Sequence, residues 1–236
     1  MNSMIFQLAL AVVPAIIAIT LHEAAHGYAA WALGDTTARD QGRLSLNPLR
    51  HVDRVGTIIL PGILLVTQLV LPPHRISFMF GWAKPVPVAA WKFRDPRRGM
   101  AVVALAGPAM NFFLAWVGAL LMPTLAIAGT LDAVVVQFLI YFMLSNLVLG
   151  LFNLLPIPPL DGGRIAVGVL PLEMARAWAQ LERAGIVIVL LVVFVLPHLI
   201  GWNPVGEALD VILPWAFRTT FWLAGHDLGG SDGHVF

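Results

Sequence analysis

Apolar residues run almost unbroken through 4–33, 100–128, 133–155 and 184–201, with a weaker stretch at about 205–224. A helix needs about 20 such residues to cross a bilayer. The pattern therefore predicts an all-α polytopic membrane protein with about five to six transmembrane helices. Two other apolar runs fit less well. Residues 55–73, VGTIILPGILLVTQLVLPP, are interrupted by Pro61-Gly62 and closed by Pro72-Pro73, while 162–172 reads as a short helix after a proline-rich turn. Residues 74–99 alternate and carry Pro85, Pro87 and several cations, which predicts a short strand or extended element at the membrane border.

Composition strengthens the membrane reading. Hydrophobic residues make up 59% of the 236 and charged residues 11%, against about 25% charged in soluble domains. A water-facing surface could hardly be built from this chain. The net charge of +1 comes without a basic stripe, which leaves nucleic acid out as a partner. With no cysteine, disulfides and thiolate metal sites are excluded, so any metal must be held by nitrogen and oxygen. No linker divides the chain, and we expect one unit over 1–225 with its core at 4–172, followed by a disordered tail at 226–236. The first apolar run lacks a basic flank and continues to Leu33, so it is read as a retained span rather than a signal peptide.

The cations fall in 39–54, 75–98 and 164–183, plus Arg218, whereas 129–132 and 201–210 carry only acids. The positive-inside rule then predicts a multi-pass plasma-membrane protein with its N-terminus outside. That parity requires 55–73 not to cross: it dips in and returns at Pro61-Gly62, or lies along the interface, which is tolerated where protein or a wet cavity covers the backbone. A plain hairpin of two crossings is the alternative.

Against this background "PAIIAITLHEAAHGYAAWALGD" raises a question of cost, since His22, Glu23 and His26 sit inside an apolar helix. Ionisable groups there cost a few kcal/mol each, and a strong common partner would offset that. HEAAH matches H-E-x-x-H, in which histidines four apart share a helix face and can ligate one ion. Glu23 can then take a proton from a metal-activated water. The bland alternative is a pair of histidines hydrogen-bonded between spans.

A catalytic zinc normally takes three protein ligands, and the outstanding intramembrane carboxylate is Asp161 in "GLFNLLPIPPLDGGR". Pro156, Pro158 and Pro159 forbid regular helix between Asn153 and Asp161, leaving both free to face a site; an ordinary turn at the water border is the alternative. Ile5 to His22 spans about 26 Å of helix, so a first span entering from outside brings the histidines near the cytosolic border. Asp161 follows the inward end of another span and arrives at the same depth.

HEAAH, "AGPAMN" at 106–111 and "NLLPIPPLDGG" at 153–163 together resemble the site-2 protease family of intramembrane zinc metalloproteases, peptidase family M50. "SLNPLRHVDRVGTIILPG" and "FGWAKPVPV" are similar to its compact subgroup without PDZ or CBS domains. The resemblance implies one catalytic Zn2+ on His22, His26 and Asp161, with Glu23 as base. It implies that Asn153 holds the substrate or the developing oxyanion, that a transmembrane protein is the substrate and that the bilayer is the setting. Phe80, Gly81, Trp82 and Ala83 are candidates for pairing with an unwound substrate by strand addition. Asn111 is read chiefly as a packing and interhelical hydrogen-bonding residue, and His51 as a solvated loop residue. Two rival readings stay open: a transporter or channel using the polar cluster, and an inactive relative that binds transmembrane helices.

Overall fold

The computed structural model describes residues 4–70, 81–127 and 133–226. Ten α-helices are present among them: α1 (Met4–Ala32), α2 (Thr37–Asp40), α3 (Leu60–Val70), α4 (Pro96–Ile127), α5 (Ala133–Asn153), α6 (Asp161–Val169), α7 (Leu172–Gln180), α8 (Gly185–Leu190), α9 (Leu196–Ile200) and α10 (Pro204–Leu223). There is no strand among the described residues. Three helical stretches, Ala9–Ala32, Pro96–Met122 and Ala133–Asn153, are long and apolar enough to cross a membrane. Residues 185–200 are helical too, but a π-helical turn at Leu191–Val195 separates α8 from α9. Helix α10 carries Glu207, Asp210 and Arg218.

Local chemistry sets the ends of the long helices. α1 stops where Gly34 takes φ +97°, a conformation that costs glycine nothing. α4 starts with Pro96 in its first turn, and the Asp95 carboxylate accepts from the amides of Arg97 and Arg98. α5 ends at Asn153, ahead of Pro156, Pro158 and Pro159. Helix α6 then begins so close to that turn that a Cβ on Gly162 would lie 2.3 Å from the carbonyl oxygens of Leu154 and Leu155. On Gly163 it would lie 2.6 Å from the Pro158 nitrogen. Only glycine lets α6 fold back against its own turn.

Helix α4 is the central element, packed against α1, α5 and α6. Its buried row Val103, Gly107, Asn111, Ala115 and Ala119 follows an i, i+4 spacing along one face. The lower part of that row touches α1; Ala115 and Ala119 meet Met143 and Leu147 of α5 and Phe217 and Phe221 of α10. Small residues allow this close approach, and a Cβ on Gly118 would lie 2.7 Å from Met143 Cγ. Outward faces stay apolar: Val12, Val13 and Ile16 of α1 and Val102, Leu105 and Phe113 of α4 are all exposed. Such a surface suits lipid rather than water.

Of the two courses expected for 55–73, residues 55–70 do not take the return at Pro61-Gly62, which leaves a helix along the interface. Arg54–Ile59 forms a π-helical turn that passes directly into α3, so the chain continues through Pro61-Gly62 without turning back. Pro61 is the second residue of α3, next to a register change, where a missing N–H interrupts little. The tail from 227 onward and Phe80 lie outside the described residues.

Candidate metal centre

His22 and His26 lie one turn apart on α1, facing α4 and the start of α6. His22 Nε2 is 3.1 Å from His26 Nε2 and 3.1 Å from Asp161 Oδ2, and His26 Nε2 is 3.3 Å from the same oxygen. A tetrahedral ion with bonds of about 2.05 Å holds its donor atoms about 3.3 Å apart. Three atoms from distant parts of the chain thus form a triangle of the right size. They are the group of at least three histidine, cysteine or acidic side chains among the described residues that could hold a metal ion.

Protonation can be read from the far side of each ring. His26 Nδ1 is 2.7 Å from the Val103 carbonyl oxygen. A carbonyl can only accept, so the proton sits on Nδ1 and Nε2 presents a lone pair. His22 Nδ1 is 2.6 Å from Asn111 Oδ1, with the same consequence. Two lone pairs and a carboxylate oxygen therefore converge, and Asp161 Oδ2 is buried without a donor of its own. Only a cation or a shared proton could reconcile three acceptors at such distances. Two imidazoles and a carboxylate are a donor set that zinc accepts.

Helix α4 was shaped to admit this cluster. A Cβ on Gly107 would lie 2.5 Å from His26 Cε1, and 2.6 Å from both His22 Cε1 and His26 Nε2. A cavity of about 330 Å³ opens onto the triangle, and Glu23, Asn153, Gly81, Trp82 and Ala83 also line it. Glu23 Oε2 accepts from the Val86 amide at 3.1 Å. Asn153 Nδ2 donates to Leu149 O at 3.0 Å.

The border segment is held to its neighbours at alternate residues. The amides of Trp82 and Lys84 donate to Gly56 O and His51 O, and that of Val86 to Glu23. This period of two is that of an extended chain. Gly56 lies flat against the Trp82 indole, where a Cβ would be 2.4 Å from the ring. Farther along, the Ala89 amide donates to Asp35 Oδ2 at 2.6 Å. Burial acts to raise the pKa of Asp35. Hydrogen bonds from the Thr37 hydroxyl, the Ala89 and Thr37 amides and Lys92 outweigh it and hold the carboxyl at about 2.

The profile of peptidase family M50 matches residues 122–196. "Putative zinc metalloprotease YwhC" of Bacillus subtilis (strain 168) is 39% identical over 209 residues, 86% of this chain and 88% of that protein. The chain belongs to peptidase family M50. "Putative zinc metalloprotease Rip2" of Mycobacterium tuberculosis (strain H37Rv) is 34% identical over 190 residues, covering 79% of this chain and 67% of that one. No solved structure matches. This M50 peptidase is a zinc metalloprotease of the membrane, with Zn2+ as its cofactor, which sets the transporter reading aside.

Some residues of this M50 peptidase behave differently from their sequence reading. His51 is buried, with Nε2 2.8 Å from Ser45 O, because residues 43–51 fold back beneath the border segment and enclose the ring. Asn111 bonds between helices as expected, and one of its partners is His22 itself. Asn146 and Asp35 were not legible as site or anchor residues. The one available signal for Asn146 was a lone carboxamide in the apolar middle of α5.

Proposed function

We propose that this metalloprotease is an intramembrane endopeptidase that cleaves transmembrane segments of other membrane proteins. In this reading His22, His26 and Asp161 hold the zinc, close to the cytosolic side of a plasma membrane that the N-terminus enters from outside. The observation that carries it is the donor triangle, 3.1 to 3.3 Å on a side, set among helices of membrane-crossing length. Zinc supplies a Lewis acid that polarises the scissile carbonyl and brings the pKa of a water toward 7.

The chain's own groups do the rest. Glu23 neighbours the triangle and lines the same cavity. It takes the proton of the attacking water and passes it to the leaving amine nitrogen. The Val86 amide engages one carboxylate oxygen and leaves the other to the water. Asn153 uses one of its two N–H groups within α5, and the second is available to charge developing on the carbonyl oxygen.

A helical substrate must be unwound before its peptide bonds can be attacked. Phe80, Gly81, Trp82 and Ala83 offer the place for it by strand addition. The amides of 82, 84 and 86 are spent on one side, and Pro85 and Pro87 have none to give. Ala83 is then the residue whose N–H and C=O face a newcomer.

Purified protein in proteoliposomes with a single-span model peptide tests the proposal. Cleavage inside the span should be lost with a chelator and return with zinc, and Glu23→Gln should lower it by at least about 100-fold. Cleavage confined to the soluble flanks of the peptide would overturn the intramembrane assignment. Wild-type rates in Glu23→Gln would remove Glu23 as base.

A further inference from the structure

A chain of two buried carboxamides runs into the back of His22. Asn111 of α4 and Asn146 of α5 are both 0% exposed, in the apolar interior of their helices. Uncompensated burial of two amides is costly, so what they do there needs a reason. Their hydrogen bonds have a fixed direction. Phe142 O is a backbone carbonyl and can only accept, so the group of Asn146 2.8 Å from it is Nδ2. That turns Asn146 Oδ1 toward Asn111, whose Nδ2 donates to it at 2.9 Å and also reaches Ala18 O at 3.3 Å. Asn111 Oδ1 is thereby turned toward His22 Nδ1, 2.6 Å away.

We propose that Asn111 and Asn146 are positioning residues that lock His22 in its Nδ1–H tautomer and so keep Nε2 as a lone pair for zinc. The inference rests on the assignment of His22 as a ligand. A reversed Asn111 amide would set an N–H against Nδ1, drive the ring proton to Nε2 and block the ligating atom. Asn146, with Ala18 O behind it, prevents that reversal from α5, a helix that supplies no donor atom to the metal triangle. The two histidines are thus oriented by different means. His26 leans on a backbone carbonyl that no substitution removes, whereas His22 depends on side chains from two other helices. The tautomer of His22 reports whether α1, α4 and α5 are packed together. Partners of this kind typically change metal affinity by about 10- to 100-fold.

The test uses full-length protein in detergent, with zinc affinity measured by chelator competition and the histidine ring nitrogens of the metal-free protein followed by 15N NMR. Asn111→Leu should weaken zinc binding by about 10- to 100-fold and shift His22 toward Nε2–H. Asn111→Asp keeps an acceptor and should restore affinity to within a few-fold of wild type. Asn146→Leu removes the shorter of the two bonds that hold the Asn111 amide and leaves the longer one to Ala18 O, giving a smaller loss and a partial shift of the tautomer. A role in helix packing alone would lower the melting temperature of these variants without changing the tautomer. Unchanged tautomer and affinity in folded Asn111→Leu overturn the relay. If that variant does not fold, unchanged tautomer and affinity in Asn111→Ala, which removes the carboxamide without adding bulk, do so instead. Failure of the underlying assignment looks different: wild type would bind no stoichiometric zinc, or His22→Ala would bind it as well as wild type.

Discussion

Asp35 and Asp161 are both buried carboxylates, 0% and 7% exposed, and both pack against the C-terminal half of α1 or the turn that follows it. Asp35 is surrounded by donors: two amides, a hydroxyl and the Lys92 ammonium at 3.1 Å. Asp161 meets two imidazole nitrogens whose protons lie on the other side of their rings, and its Oδ2 has no donor. Similar burial therefore conceals opposite chemistry. A carboxylate whose lone pairs are all filled ties parts of a fold together, whereas one aimed at other acceptors is prepared for a cation. Counting donors separates the two where burial does not.

The largest effect should come from removing the acceptor at 161. Asp161→Asn should eliminate stoichiometric zinc in elemental analysis and lower proteolysis by about a thousandfold or more. The melting temperature of the metal-free protein should stay level or rise, because the new amide can donate to an imidazole lone pair. A metal-free protein markedly destabilised by Asp161→Asn would mean that Asp161 acts as Asp35 does.

Gly107→Ala should come next. The added methyl would lie 2.5 to 2.6 Å from both rings, and each ring is held at its Nδ1, so neither can swing away cheaply. A misplacement of about 1 Å can cost a hundredfold in rate. We expect kcat/KM to fall by about that factor with KM for the substrate little changed. Full activity in Gly107→Ala would show that the rings have room the geometry denies them.

How far the sequence revealed this contrast depends on how local each pairing is. His22 and His26 were legible because four residues on a helix make neighbours. Asp161 was legible because three prolines rule out helix before it. The Asn111–Asn146 contact was not, since the face that α5 turns to α4 is set by packing among apolar side chains that look alike in sequence. Asp35 stayed hidden for the same reason, its partner amide lying 54 residues away. Pro61 does not break the run because it follows a π-helical turn, a change of register that the sequence does not show. Membrane-length helices, in contrast, were plain from composition.

The Asp35 side of the comparison is open to acid. Its pKa is about 2 in the fold against 3.8 ordinarily. A depressed carboxylate contributes stability in full above the unfolded value and loses it as pH falls through the folded one. Between about pH 4 and pH 2, roughly 2 kcal/mol of stability should therefore disappear. Unfolding of detergent-solubilised protein followed across that range should show the slope, and Asp35→Asn should flatten it. Zinc-loaded activity per folded molecule should be unchanged at neutral pH, which sets this carboxylate apart from Asp161.

Lys92→Met probes the smallest part of the Asp35 cage. The ammonium lies 3.1 Å from Asp35 Oδ1 and donates to Thr37 Oγ1 at 2.8 Å, but the Lys92 side chain is 37% exposed. Solvent screens such a pair, so its loss should cost about 0.5 to 1 kcal/mol, well below the cost of removing Asp35. The three hydrogen bonds from Thr37 and Ala89 remain in the variant and keep most of the cage intact. At about 0.5 M salt, where charges are screened within a few ångströms, wild type and Lys92→Met should approach the same melting temperature. A gap that persists at high salt would mean that the lysine stem acts by packing against the turn after α1, and the cage would then be held by amides and a hydroxyl alone.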